Sequence, residues 1–272
     1  MPLIAGGWLV NRLTLRIHPT LLAPLGSILV SARRQEPCIV RRSEDGWIHR
    51  YREGIAVHPR LGGPSARLQD QAARDHFLYR YSPRRGDVVF DLGAGPGSQV
   101  RLFSRLVGAT GRVISVEAHP RTFRLLAHTV ALNRLANVTA LQAAVTEARR
   151  TVYVDDEVPA PSLVITDDAG TGTAVAGVTL PDVMKLVNVD RIDLLKMDID
   201  GSELPALRAA TGALASVRNI VVSCHDFLAD TGSDRRRTYQ PVTELLHEAG
   251  FSVRSRPTDA RPAVRYYAYG AR

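Results

Sequence analysis

The residues with chemistry in them lie at four places along the chain. The first is Asp91-Leu92-Gly93-Ala94-Gly95-Pro96-Gly97-Ser98, in which three glycines fall at alternate positions after an acid. Such a turn lets the backbone bend tightly and approach a ligand closely. It would also open a helix whose first N–H groups face that ligand. The spacing is G-x-G-x-G, not the G-x-G-x-x-G of dinucleotide sites, and Asp91 would suit an amino-bearing ligand and repel a pyrophosphate. The second place is Glu117, 20 residues after Gly97 at the end of the next apolar run. An acid so placed can accept the hydroxyls of a ribose. The third is Lys196-Met197-Asp198-Ile199-Asp200-Gly201-Ser202-Glu203, where an apolar run ends in three acids. Clustered carboxylates raise one another's pKa or hold a metal; Asp200 and Glu203 could instead cap the following helix. The fourth is Ser223-Cys224-His225-Asp226, again after an apolar run. His225 there can serve as a general base. No G-x-S-x-G elbow accompanies it, which excludes a Ser-His-Asp hydrolase of that type.

Taken together, Asp91, Gly93, Gly95, Gly97 and Glu117 describe a pocket for an adenosine carrying an amino-acid tail, that is, S-adenosylmethionine (SAM). Ala94, Ser98, Ala118, Ala144 and Asp198 are counted as further cofactor contacts.

These residues need a scaffold that brings strand ends together. Apolar runs at 87–92, 112–116, 138–145, 192–197 and 219–223 alternate with helical segments at 98–107, 120–133, 180–186, 202–210 and 239–249. That alternation predicts a doubly wound, mostly parallel α/β sheet. Segments 251–256 and 264–269 predict a C-terminal antiparallel hairpin, and 151–154 with 163–166 an edge insertion. A helix is expected over 65–81 with Ser65 as its N-cap. The expected organisation is an N-terminal extension over 1–82 and a catalytic domain over 83–272.

The chain resembles the FkbM-type SAM-dependent methyltransferases. The resemblance runs from about Arg85 to Phe251. It is carried by DVVFDLGAGPG (87–97), GRVISVEAHPRTFRLLAHTVALNRLANVTALQAAV (111–145), IDLLKMDIDGSELPALRAA (192–210) and TYQPVTELLHEAGF (238–251). It implies a class I methyltransferase (Rossmann-like) fold and methyl transfer to a hydroxyl, often on a sugar or natural-product scaffold. The family usually has Asn where this chain has Gly95, Glu-Pro-Asn-Pro where it has Glu117-Ala118-His119-Pro120, and Glu where it has Asp200.

A hydroxyl must lose its proton as it attacks the methyl group. His225 or Asp198 is expected to take it. The alternative is a Mg²⁺ held by Asp198 and Asp226 that acidifies the hydroxyl. Two other functions compete with this reading: an NAD-dependent oxidoreductase, and a non-catalytic SAM-fold module that binds RNA or membrane. Nucleic-acid methylation is disfavoured, since no basic aromatic stripe or base-flipping tetrapeptide is present.

Composition sharpens the partner question. The chain has 272 residues, a formal charge of +8 and two cysteines, Cys38 and Cys224. Its length suffices for a core without disulfides, and its cysteine usage favours a reducing, cytoplasmic setting. Residues 1–86 hold 14 arginines and six acids, so they carry the whole excess. Residues 17–32 are uncharged but too short for a spanning helix. The mixed apolar and arginine stretch at 8–17 is expected to pack on the catalytic domain, within an extension that covers the acceptor; the alternative is peripheral association of residues 1–40 with a membrane surface. Arg235-Arg236-Arg237 is read as a solvated loop.

Overall fold

The computed structural model describes residues 19–155, 165–166, 172–227 and 237–272. The stretch at 8–17 and Arg235 and Arg236 lie outside them. The helices are α1 (Pro19–Arg34), α2 (Ala66–His76), α3 (Val100–Val107), α4 (Pro120–Leu132), α5 (Leu180–Leu186), α6 (Glu203–Ala209), α7 (Tyr239–Glu248) and α8 (Pro262–Arg265). The strands of the main sheet are β4 (Val88–Leu92), β5 (Arg112–Glu117), β6 (Val138–Gln142), β11 (Ile192–Met197), β12 (Val217–Ser223), β13 (Ser252–Arg254) and β14 (Tyr267–Ala271).

Their order is β13-β14-β12-β11-β4-β5-β6. β12, β11, β4, β5 and β6 are parallel. β14 is antiparallel to both β12 and β13, so it alone opposes the sheet. The terminal hairpin expected from the sequence is present, but its second strand begins at Tyr267, because Pro262 starts a short helix where strand was expected. The strand order reverses between β4 and β11, and ligands bind outside the carboxyl ends of strands at such a switch point.

Strand alternation builds one core layer on each face. Registered across the sheet, Leu194, Val89 and Val113 face one layer, with Phe103 and Leu126. Leu195, Phe90 and Ile114 face the other, with Leu207 and Leu246. The strands on either side of the switch point are buried at nearly every position, and this is why they read as continuous apolar runs.

Other parts depart from the sequence expectations. The run at 138–145 splits: β7 (Ala144–Val145) leaves the main sheet and joins β10 (Thr173–Val178), β8 (Arg150–Val154) and β9 (Ile165–Thr166) in a second, four-stranded sheet. The N-terminal third also contains elements that the sequence did not suggest. α1 packs on an antiparallel sheet of β1 (Ile39–Arg42), β2 (Trp47–Tyr51) and β3 (Gly54–His58), around Val30, Val40, Tyr51 and Leu61. α2 starts as expected, with the Ser65 hydroxyl accepting from Leu68 N, but ends at His76.

Candidate active site

β4 and β11 pair so that Asp91 lies directly opposite Lys196. Cross-strand partners share a face, and Lys196 Nζ sits 3.0 Å from Asp91 Oδ1, with both side chains fully buried. The ammonium also donates to Gly93 O at 2.6 Å and to Leu92 O at 3.3 Å. Burial opposes the charge on Lys196, but the carboxylates of Asp91 and Asp198 outweigh it and hold its pKa above the ordinary lysine value. This corrects the role expected of Asp91: its charge is matched inside the protein, beneath the glycine turn. Lys196 was not singled out from the sequence, although a lysine inside an apolar strand, one of only two in the chain, is the signal that marks it.

The turn above is held by its own N–H groups. Gly93 N and Ala94 N donate to Val116 O, and Gly97 N donates to Ala94 O. Gly95 N donates to Glu117 Oε2 at 2.9 Å. Position 96 is proline, so every N–H from 93 to 97 is used within the protein, and none is left to cradle a pyrophosphate. Gly93, Gly95 and Gly97 all have positive φ (74°, 56° and 83°). A Cβ on Gly93 would lie 1.8 Å from Asp198 O, whereas one on Gly95 would meet nothing within 4 Å. Gly93 therefore lets the two loops touch, and Gly95 faces open space. Ala94 packs into the core. Ser98 Oγ accepts from Gln69 Nε2 at 3.5 Å, so it faces α2.

Glu117 is buried, and its other oxygen accepts from His119 N. Burial pushes its pKa up, against the two N–H groups that stabilise the ionised form. Two N–H bonds leave carboxylate lone pairs for hydroxyl donors. Beside it, a small cleft is lined by Gly93, Val116, Ala118, Ala143, Ala144, Val145 and Ile199. The sequence placed Ala118 and Ala144 here, and the structure brings both to the same wall. An apolar slot, a carboxylate with spare acceptors and open space over Gly95 fit an adenosine with an aliphatic tail.

The loop after β11 is built differently. Glu203 is buried, and its oxygens reach back to Ile199 N at 3.0 Å and Gly201 N at 2.9 Å. It therefore clamps the loop, a more specific role than the helix capping the sequence allowed. Asp200 adopts φ 55°, a left-handed conformation that Asp tolerates better than most residues. His225, at the end of β12, stands against three carboxylates. Its Nε2 is 3.4 Å from Asp198 Oδ1 and 3.3 Å from Asp200 Oδ1, and its Nδ1 is 3.4 Å from Glu203 Oε1. Burial alone would lower its pKa, but the facing carboxylates of Asp198 and Glu203 outweigh this and raise it to about 10. His225 is thus an imidazolium at neutral pH, which corrects the expectation that it is the base.

Asp198 is held below the carboxylate range: burial opposes ionisation, but His225 and Lys196 favour it more. Asp198 is therefore a poor base as well. Asp200 is the exception. Burial, then repulsion from Asp198 and Glu203, lifts it to about 7 despite the attraction of His225. Asp226 takes no part in the cluster, since its Oδ2 accepts from Thr238 N and Tyr239 N at the start of α7. That use corrects its expected role as a partner of Asp198 for Mg²⁺. Among the described residues no group of three or more His, Cys, Asp or Glu side chains could hold a metal ion. Cys224 is buried in the core.

The fold and the site define a class I SAM-dependent methyltransferase domain. Residues 91–253 match the methyltransferase FkbM domain, and the chain belongs to that family. No curated protein matches it significantly. Among solved structures it is similar to methyltransferase FkbM from Methylobacillus flagellatus KT, at 18% identity and a TM-score of 0.49 over 71% of this chain. It spans 45% of that protein's length. It is also similar to Aeropyrum pernix fibrillarin in complex with natively bound S-adenosyl-L-methionine (16%, TM-score 0.47, 86% of this chain and 97% of that one). A third likeness is to an O-methyltransferase from Bacillus cereus in complex with SAH (13%, TM-score 0.47, 76% and 79%). At these identities the likenesses concern the fold alone.

Proposed function

We propose that this chain is a SAM-dependent O-methyltransferase that modifies a hydroxyl of a small molecule, a sugar of a natural product or glycolipid, in a reducing, cytoplasmic setting. The same proposal makes residues 1–40 part of a cover for the acceptor, with a membrane surface as the alternative. The observation that carries the reading is the contact between the two loops: a glycine cradle with no N–H left over touches a carboxylate cluster in which one member, Asp200, has a pKa near neutrality. SAM, when bound, supplies an already activated methyl group, so the protein has to align the partners and manage one proton.

Glu117 offers acceptors for ribose hydroxyls. Ala118 and Ala144 wall the apolar slot, and the open space over Gly95 leaves room for the tail. Asp200 accepts the proton of the attacking hydroxyl at its carboxylate. A base with a pKa near the working pH suits that task. His225, held as a cation, keeps Asp198 and Asp200 close together and limits how far the pKa of Asp200 climbs. An acceptor amine would not require such a base in the same way, and this supports a hydroxyl. The NAD alternative is disfavoured by the absence of a free N–H from 93 to 97.

The test is the pH dependence of methyl transfer at saturating SAM. The rate should rise with pH through about 7 and then level off, as Asp200 ionises. A flat profile in the wild type, or an unchanged profile in Asp200→Asn, contradicts the assignment.

A further inference from the structure

We propose that Phe77, the residue that ends α2, is a positioning residue of the donor site: its ring covers the Lys196 ammonium and thereby fixes the glycine turn that receives SAM. The inference rests on the SAM reading above, and it places part of the donor site outside residues 83–272. Lys196 Nζ has three acceptors within 3.3 Å, Asp91 Oδ1, Leu92 O and Gly93 O. An ammonium has three protons, so these acceptors use all of them. The ammonium also lies over the ring of Phe77, 5.2 Å from its centroid. A desolvated ammonium at that range is attracted by the ring's quadrupole.

Phe77 is itself buried, so the ring keeps water off the ammonium as well. Water there would compete with Gly93 O, the carbonyl of the first glycine of the turn, for a proton of Lys196. Phe77 does not line the cleft beside Glu117. It acts on the donor through Lys196 and not by contact.

The rest of α2 holds the ring in place. The helix buries Ala66, Gln69 and Ala73, and Phe77 follows Ala73 by four residues, on the same face. Its N–H donates to Ala73 O at 2.9 Å. Along the helix, Asp70 pairs with Arg101 of α3 at 2.5 Å, and Gln69 reaches Ser98 at the glycine turn. At its end, the Phe77 ring stacks on Tyr267 of β14, with centroids 5.6 Å apart and 23° between the planes. Tyr269 Oη donates to His76 O at 2.7 Å. Outside this, Asp75 pairs with Arg256 at 3.2 Å and with Arg261. α2 therefore ties the glycine turn to the antiparallel strand, and Phe77 is where that tie meets the buried ion pair.

The test joins calorimetric titration of the full chain with SAM to NMR of lysine-labelled protein. The chain has two lysines, Lys185 and Lys196, and Lys185 is exposed, so the two signals are told apart. The ring should displace the Lys196 signal upfield in the wild type. Phe77→Leu keeps apolar bulk and removes the ring. It should abolish that displacement and weaken SAM binding about 10-fold. Trifluorophenylalanine at position 77 keeps the shape and weakens the quadrupole, so it should cost about 3-fold in SAM affinity. It also carries the test if Phe77→Leu does not fold. Leu78→Ala disturbs the same core layer but not the ring, and should bind SAM as the wild type does. Unchanged SAM affinity in both Phe77 variants, or an undisplaced Lys196 signal in the wild type, overturns the inference alone. So does a loss in Leu78→Ala equal to that in Phe77→Leu, which would reduce the effect to general stability. A wild type that does not bind SAM overturns the donor reading, and the inference with it.

Discussion

The two loops that leave β4 and β11 are neighbours, yet they solve opposite problems. The loop at 93–97 has no exposed charge. Its acid, Asp91, is buried and paired with Lys196, and its N–H groups all have partners. The loop at 198–201 holds Asp198 and Asp200, 30% and 24% exposed, against one imidazolium. The first loop is organised to hold a shape, and the second to hold a proton. The same β4–β11 pairing builds both, since Asp198 N donates to Leu92 O at 3.1 Å and Gly93 leaves room for Asp198 O.

The comparison breaks most severely at the buried pair. Lys196→Met leaves Asp91 charged and alone, which should cost about 3–5 kcal/mol of stability; thermal or denaturant unfolding measures this. Lys196→Met with Asp91→Asn should recover most of the loss. If the single variant is as stable as the wild type, the pair is not what holds the first loop.

Next comes the proton. Asp200→Asn keeps a residue that tolerates the left-handed backbone and removes only the base. Turnover should fall by about 10²–10⁴-fold, with SAM affinity nearly unchanged. His225→Gln sharpens the point by removing the cation that limits the pKa of Asp200. Asp200 should then titrate higher, so the rise in the pH–rate profile should move upward, toward alkaline pH. A downward move would mean that His225 acts otherwise.

The sequence made one of these loops much more legible than the other. Gly93, Gly95 and Gly97 could be read because a backbone turning through positive φ requires glycine, a local rule, and Glu117 followed from a fixed spacing. The Lys196–Asp91 pair joins residues 105 positions apart through a strand pairing that no local pattern reveals. The charge state of His225 was misread for a related reason: it depends on Asp198, Asp200 and Glu203 together, and their joint effect on one imidazole exists only once β11 and β12 are side by side. Of the N-terminal elements, α1 escapes the sequence because Pro19 and Pro24 look like helix breakers, and the sheet because β1 (IVRR) has one buried residue in four. β10 was missed because Gly177 interrupts its alternation; the glycine is needed there, since a Cβ would lie 2.8 Å from Arg150 O.

An effect that appears only in acid separates the catalytic sheet from the N-terminal one. His49 and His58 are buried in or beside β2 and β3, and their rings stand 4.9 Å apart. Burial lowers His49 to about 4 and His58 to about 3. Both pKa values are depressed below the unfolded value of about 6.5. The unfolded chain therefore binds more protons in acid, and stability is complete above that pH and falls as pH drops from 6.5 toward 4. Each imidazole should remove ~1.4 kcal/mol per pH unit in this window. Urea unfolding from pH 7 to 4.5, with His49→Gln as comparison, reads it. The variant should show a shallower loss.

The account's central claim is that the loop contact at Gly93 builds a cradle for SAM and not for a dinucleotide. Calorimetric titration of the wild type with SAM, with NAD, and of Gly93→Ala with SAM tests it directly. The account predicts SAM binding to the wild type, none detectable for NAD, and at least a ~100-fold loss in Gly93→Ala, where the new methyl group would press on Asp198 O. NAD binding as tight as SAM, or full SAM affinity in Gly93→Ala, would contradict it.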